Sequence, residues 1–426
     1  MRSLVVLGAG TAGTMVVNKL RPRLPADEWT ITVVDPSDMH YYQPDFLFLA
    51  FGMSRPRDAV RPRARTLTRG VRLVRGEVDR VDPVAQRVHL VDGKDLAYDY
   101  LVIATGTTPR PDQTPGMAEG MGDNVHEFYT YAGANALAAK LASWPGGRLL
   151  VHVTEMPIKC PVAPLEFTFL ADAFFTERGL RPRVDLTYVT PLPGAFTKPV
   201  AADQLGDMLA RRRIGIEPDF VVEQIDSEAG TLTSFDERVL EFDLLVTIPV
   251  NMGADFIARS GLGDELNFVP VDRHTLLSKA YDTIFAIGDA TDVPTSKAGS
   301  VAHFQADALV PNFLAHVQGL PMPDSFDGHA NCFIETGFGK GMLIDFNYDT
   351  EPLPGMYPLP VVGPMRLLRE THLNHWGKRA FRWVYWSMLL PGRRLPVPAH
   401  MSMAGKRVPV TATTTATPPV TPVGLT

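Results

Sequence analysis

Only two cysteines, Cys160 and Cys332, occur in 426 residues. That scarcity excludes a disulfide-rich secreted scaffold, and with no C-x-x-C and no Cys/His ligand spacing no metal site is expected. Long apolar runs are missing too, since no uncharged, predominantly apolar stretch reaches the roughly 20 residues of a membrane-spanning helix. Nor is there an excess of positive charge. The balance is −6 at neutral pH, which leaves no bulk basic field and argues against nucleic acid as a partner. What remains is ordinary for a globular chain, with 21% charged and 45% hydrophobic residues, and the length calls for two or three domains. A reducing compartment is the expected one.

The N-terminal MRSLVVLGAGTAGTMVV has one Arg before an apolar run, like an export signal, yet cleavage would remove the most informative motif in the chain. Leu4 to Leu7 read as a buried strand entering Gly8, Gly10 and Gly13. A helix follows to about Leu20, and a second strand, WTITVVD, ends in Asp35. This order lets backbone approach a pyrophosphate at a helix N-terminus while the acid takes a ribose hydroxyl. Two later strands end comparably: YDYLVIATGTTPRP in Thr105 and Gly106, and YDTIFAIGDATDVP in Gly288 and Asp289. A helix starting near Ser300 would favour negative charge at its N-terminus by about 0.3–1 kcal/mol, with Lys297 as a cation at the same end.

With these segments the chain resembles the two-dinucleotide-fold flavoproteins. The resemblance implies FAD as cofactor, with Thr105 and Gly106 closing its site and Asp289 on the ribityl chain. It also implies an α/β fold of two Rossmann-like domains: an FAD domain over 1–113 and 276–320, and a second domain over 114–275. In that second domain a glycine fingerprint for NAD(P)H is missing. The strand GRLLVHVT runs instead into EMPIKCPVAPLEFTFLADAFF, where bulky Met156, Ile158 and Lys159 stand where backbone should approach a pyrophosphate. A flavin without a nicotinamide site needs another electron source, and Cys160 lies in that loop. An inert buried thiol is the ordinary alternative.

KCPVAPLE, HYYQPDFLFLAFG, SKAGSVAHFQA and NCFIETGFGKGMLIDF together resemble the sulfide:quinone oxidoreductases and the related flavin subunit of flavocytochrome c sulfide dehydrogenase, over residues 1 to about 390. The resemblance implies sulfide as substrate, a membrane quinone as acceptor, and a redox-active disulfide or polysulfide bridge between Cys160 and Cys332. It implies further cofactor contacts from Pro44, Gly299 and Ser300. Lys159 is placed to favour a thiolate and Glu166 to relay protons; a loop lysine and a first-turn helix glutamate are the plain alternatives. Many bacterial members carry a third cysteine where this chain has Val125 to Phe128, which points to a two-cysteine subtype.

Residues 321–404 are expected to form a quinone and membrane region, with Tyr41, Phe338, Lys340, Phe346 and Tyr348 as an apolar slot. Within it THLNHWGKRAFRWVYWSMLLPGRRLP holds Trp376, Trp383 and Trp386 between basic residues, so 366–396 are expected to lie in the plane of a membrane surface, on its cytoplasmic face. A packing helix or a dimer interface is the alternative, and homo-oligomerisation stays open. The Thr/Pro-rich end, 405–426, is expected to be a disordered tail. Two other functions compete: a type II NADH:quinone oxidoreductase or another NADH-dependent flavin disulfide reductase, and an FAD-containing sulfur-binding regulator without turnover.

Overall fold

The structure is a computed structural model that describes residues 1–359, 363–395 and 397–408. In chain order the strands that build its three largest sheets are β1 (Arg2–Leu7), β2 (Trp29–Asp35), β3 (Val71–Arg75), β4 (Tyr100–Ile103), β5 (Val125–His126), β6 (Gly147–Val153), β7 (Val184–Val189), β8 (Gly215–Glu217), β9 (Leu244–Ile248), β10 (Ile284–Ala286), β11 (Ala330–Gly337), β12 (Lys340–Phe346), β13 (Gly355–Leu359) and β14 (Gly363–Leu367). The helices around the site are α1 (Thr11–Leu20), α2 (Asp45–Ala50), α3 (Ala163–Glu177), α4 (Gly299–His316) and α5 (His372–Val384).

One sheet has the order β10-β4-β1-β2-β3 and another the order β5-β9-β6-β7-β8, both parallel throughout. The expected α/β class with Rossmann-like sheets is what the chain adopts. Leu4, Val5, Val6 and Leu7 are all essentially inaccessible, as a central parallel strand covered on both faces requires. Because β10 returns from residue 284 to pair with β4, the second sheet is an excursion out of the first.

The β1–α1 turn depends on glycine. Gly8 has φ +93°, and a Cβ there would lie 2.5 Å from the Ala104 carbonyl oxygen; at Gly13 it would lie 2.0 Å from the Gly8 oxygen. Side chains at either position would separate α1 from the strand ends it must touch.

The third sheet, β11-β12-β14-β13, is mixed. It sits between α3, which packs on β11, and α5, which packs on β12. Its far end is tied by residues 405–407, a correction to the expected tail. The Met356 amide donates to the Gly405 carbonyl at 3.0 Å, Arg407 donates to the Pro354 carbonyl at 2.8 Å, and buried Lys406 pairs with buried Asp345 at 2.5 Å. The packed chain therefore continues past 405, and residues 409–426 of the expected tail lie outside the described residues. Among the described residues no helix is long and apolar enough to cross a membrane.

Candidate active site

A cavity opens where β1, β4, the Gly288–Ala290 turn and the starts of α1 and α4 converge. Gly10, Thr11, Gln43, Pro44, Thr105, Gly106, Gly288, Asp289, Lys297 and Gly299 line it, with Lys159, Cys160 and Glu166 from the second domain. A second groove beyond the glycine turn is lined by Gly8, Asp35, Gly76, Glu77, Val78 and Thr105, so Thr105 belongs to both. Asp35 accepts from the Ala9 and Ser37 amides at 2.8 and 2.9 Å and pairs with Arg63 at 3.1 Å. The Thr105 and Thr107 hydroxyls are buried without a protein partner.

Not every expected cofactor residue turns its side chain to the cavity. Lys297 donates through Nζ to the carbonyls of Asp289 and Thr291 at 2.9 and 2.8 Å, and its ammonium sits 3.7 Å from the Phe268 ring centroid. Burial lowers its pKa to about 8. What it gives the thiol loop is backbone, since its carbonyl accepts the Cys160 amide at 2.6 Å. The Ser300 hydroxyl donates to the Asn331 carbonyl at 2.7 Å, linking the start of α4 to the strand that carries Cys332.

The loop between β6 and α3 is held at both backbone groups of Cys160. Besides the Lys297 contact, its carbonyl accepts from the Ala163 amide at 2.9 Å and the Tyr129 hydroxyl at 3.1 Å. These bonds keep Cys160 at φ +49°, a left-handed conformation that costs a non-glycine residue on the order of 1–3 kcal/mol and that clusters at functional sites. Cys332 is on β11. Both are free thiols here. Burial pushes the Cys160 thiol up from about 9 to about 12, with the Glu166 charge adding to the rise and Lys378 opposing it. Cys332 is raised by burial and then by the charges of Cys160 and Glu166, again against Lys378. Glu166 and Lys378 therefore act on both sulfurs.

That cation was not among the expected site residues. Lys378 of α5 forms a buried ion pair with Glu166 and donates to the Phe333 carbonyl, next to Cys332, at 3.3 Å. Burial works against its charge, but Glu166, Glu335 and Cys160 together raise its pKa. Glu166 is raised by burial despite Lys378, and it accepts the Glu335 amide at 2.6 Å. The Glu335 carboxylate in turn pairs with His375 Nδ1 at 2.8 Å. Lys159, assigned the thiolate role from sequence, lines the cavity over the Tyr129 ring at 5.8 Å, and burial lowers its pKa.

The signal for Lys378 was present in the helical period. At 100° per residue, Asn374, Lys378, Phe381 and Tyr385 fall opposite Leu373, Trp376, Ala380 and Trp383. In the structure the first set faces inward, with Lys378, Phe381 and Tyr385 in the cavity wall, and the Tyr385 hydroxyl bonds Thr11 Oγ1 at 2.7 Å and His40 Nε2 at 2.6 Å. The outer face is apolar: Leu373, Trp376 and Trp383 are 46%, 65% and 66% exposed. This corrects the reading of the basic residues as lipid-facing, because Lys378 is internal, Arg379 donates to the Met53 carbonyl at 3.1 Å, and Arg382 pairs with Asp45 at 3.1 Å. Trp386, Leu389 and Leu390 are buried, so the outer stripe is narrower than the sequence implied.

The five residues expected to form a quinone slot do not share a cavity. Tyr41 packs on Phe46 and Tyr131, Phe338 is exposed beside Arg212, and Lys340 is exposed. Phe346 and Tyr348 line a separate cavity with Met156, Pro157 and Pro161. Apolar groups of the main cavity are instead Phe46, Leu47, Phe128 and Phe381. Phe128, in the segment lacking a third cysteine, stacks on Phe167 with ring centroids 4.9 Å apart.

Residues 2–152 match the family model of pyridine nucleotide-disulphide oxidoreductases. Rhodocoxin reductase of Rhodococcus erythropolis is 34% identical over 70% of this chain and 67% of its own length. The chain belongs to the pyridine nucleotide-disulphide oxidoreductase family and is an FAD-dependent oxidoreductase. Within that family its likeness extends over nearly the whole chain to sulfide:quinone oxidoreductases. The mitochondrial enzyme of Dictyostelium discoideum is 29% identical over 92% of this chain and 86% of its own. The crystal structure of the sulfide:quinone oxidoreductase from Aquifex aeolicus superposes with a TM-score of 0.78 at 21% identity, covering 92% of both chains. The residues present fit FAD: a glycine turn no side chain can enter, two adjoining cavities meeting at Thr105, and buried Thr105 and Thr107 hydroxyls that lack protein partners.

Proposed function

We propose that the chain oxidises sulfide through Cys160 and Cys332 and passes the electrons to a membrane quinone, yielding sulfane sulfur or polysulfide. The observation that carries this reading is the cluster of Cys160, Glu166 and Lys378 at the wall of the flavin cavity, with buried Cys332 under the influence of all three, beside the loop where a nicotinamide fingerprint is absent. FAD, when bound, supplies two-electron acceptance beside the thiols and delivery of the pair to the quinone.

In the resting form the two sulfurs are bridged. Hydrosulfide attacks one sulfur, an S–S bond forms to it, the Cys160–Cys332 bond breaks, and the second cysteine leaves as a thiolate. Burial opposes that charge at both cysteines, so the leaving thiolate needs a cation or a proton nearby. Lys378 supplies the first. Glu166, its pKa raised by burial, is an acid able to supply the second, and Glu335 and His375 continue the hydrogen-bonded line outward from it. Lys159 keeps a positioning role on the cavity wall. Transfer of the outer persulfide sulfur to a nucleophile such as a second hydrosulfide, with reclosure of the bridge and loss of one proton and of two electrons that bound FAD would accept, releases that sulfur at the oxidation level of sulfane sulfur.

The quinone enters along the inner face of α5, between Phe46, Leu47, Phe128 and Phe381, which line the cavity. The outer face of the same helix rests in the headgroup region through Leu373, Trp376 and Trp383, aromatic side chains suited to that boundary. One helix diameter, about 10 Å, then separates the lipid boundary from the cavity. On this proposal the protein is peripheral, with the cytoplasmic face as its side of the membrane.

The reading is tested by mixing oxidised holoprotein anaerobically with sulfide and, separately, with NADH while following flavin absorbance. Bleaching by sulfide, reversed by a soluble quinone and abolished in both Cys160→Ser and Cys332→Ser, is expected. Bleaching by NADH alone, or full sulfide activity in either serine variant, refutes it and returns the chain to the NADH-dependent flavoproteins.

A further inference from the structure

The chain carries a net charge of −6, yet between Asp45 and Glu77 it has eight arginines and a single acid, Asp58. Arg63 is turned inward onto Asp35, and Arg75 pairs with Asp38. Arg55, Arg57, Arg61, Arg65 and Arg69 are exposed. None of these five contributes to the ion pairs found among the described residues, and Asp58 is engaged by Arg382 of α5 at 3.8 Å.

The run lies alongside the C-terminal segment. Arg379 reaches the Met53 carbonyl and the Ser54 hydroxyl at 3.1 and 3.4 Å, and the Arg61 guanidinium lies 4.3 Å from the Trp386 ring centroid. Asn18 donates through the same Nδ2 to the carbonyls of Thr66 and Leu390, at 2.8 and 2.7 Å. The arginine run thus borders α5 and the chain leading to exposed Arg393 and Arg394, and Met53 beside it is exposed as well.

We propose that the arginines of residues 55–69 are the second half of the docking surface, and that they select a bilayer rich in anionic phospholipid. This rests on the membrane reading above and adds a lipid class to it. Aromatic residues insert into any headgroup region, whereas unpaired guanidinium groups beside them gain only where the surface is negative. Arginine also matches lipid phosphate with a bidentate fork that lysine lacks. A neutral bilayer would hold the protein by its tryptophans alone.

The test is cosedimentation of the full-length holoprotein with vesicles of phosphatidylcholine alone and of phosphatidylcholine mixed with phosphatidylglycerol, at low and high salt. The wild type is expected to prefer the mixed vesicles, with the preference shrinking as salt rises. The variant Arg55→Gln/Arg57→Gln/Arg65→Gln/Arg69→Gln is expected to lose that preference, by about fivefold per arginine at low salt, while binding neutral vesicles like the wild type. Its sulfide-dependent reduction of a soluble quinone serves as the check on folding and should equal the wild type's. Equal wild-type binding to both vesicles, a preference retained by the variant, or tighter binding to an oligonucleotide than to mixed vesicles overturns the lipid assignment alone. Wild-type binding to neither vesicle overturns the membrane reading on which it rests.

Discussion

Replacing Lys378 by methionine keeps the length of the side chain and removes its charge. Glu166, only 1% exposed, would then hold a carboxylate with the Glu335 amide as its one remaining donor. Stranding a buried charge in this way costs about 3–5 kcal/mol. Glu166 can avoid part of that cost by staying protonated, since burial already raises its pKa and Lys378 is the main opposing influence. The thiols lose the cation that acts on both of them in favour of the ionised form. Each unit by which the pKa of the leaving cysteine rises costs tenfold in thiolate at fixed pH. Anaerobic stopped-flow bleaching by sulfide at neutral pH is therefore expected to slow by about tenfold or more in Lys378→Met, with the deficit narrowing as pH rises because the missing cation matters less once base is abundant. Lys378→Arg should recover much of the rate. Vesicle binding should weaken far less than the bleaching rate, because Lys378 is on the inner face of α5 and reaches the surface only through the helix. A Lys378→Met protein with the wild-type rate and pH profile would show that Lys378 merely anchors the helix.

Other expectations concern the frame around this pair. Trp376→Ala/Trp383→Ala should leave sulfide-dependent reduction of a soluble quinone intact and lower membrane association in a flotation assay; truncation after residue 365 is unsuitable, because it would also remove Lys378 and Tyr385 from the cavity wall. Gly13→Ala drives a methyl group into the Gly8 carbonyl, so the purified protein should retain little flavin, read from the ratio of visible to ultraviolet absorbance. Asp345→Asn leaves Lys406 buried without its carboxylate and should lower stability by about 3 kcal/mol in urea titration. Burial would raise the Asp345 pKa, but His329 and Lys406 hold it below the usual range. Its contribution is thus present above an unfolded value of about 3.9 and is lost as pH falls through the lower folded value, so wild type and variant should converge in strong acid.

The parts of this molecule that repeat a local rule could be read from the chain. Strands β1, β2 and β4, the glycine turn, and the turns ending in Gly106 and Asp289 each follow from a short apolar run plus residues with one conformational use. The two cysteines were also legible, because the loop around Cys160 lacks the glycines its position calls for. The failures have a common cause. A periodic pattern shows that a helix has faces without saying which face the protein covers, and in α5 both faces are rich in aromatics, so Lys378 was grouped with residues on the opposite side. The quinone residues failed in another way: Phe346 and Tyr348 are near Phe338 in sequence, but the β11–β12 hairpin sends them to another cavity. Sequence distance within a hairpin says little about which end of a sheet a ring will occupy.

Helix α5 is a wall of the cavity on one face and, if the proposed docking holds, a foot on the other, and the two roles cannot then be energetically independent. Whatever binding holds Trp376 and Trp383 at a surface also narrows the positions open to Lys378 on the same rigid turn of helix. By reciprocity, closing the Lys378–Glu166 pair favours the helix orientation that presents the tryptophans. An enzyme built this way senses whether its electron acceptor's home is within reach, and dilution into detergent should weaken the sulfur chemistry at the far face of the helix as well as the supply of quinone.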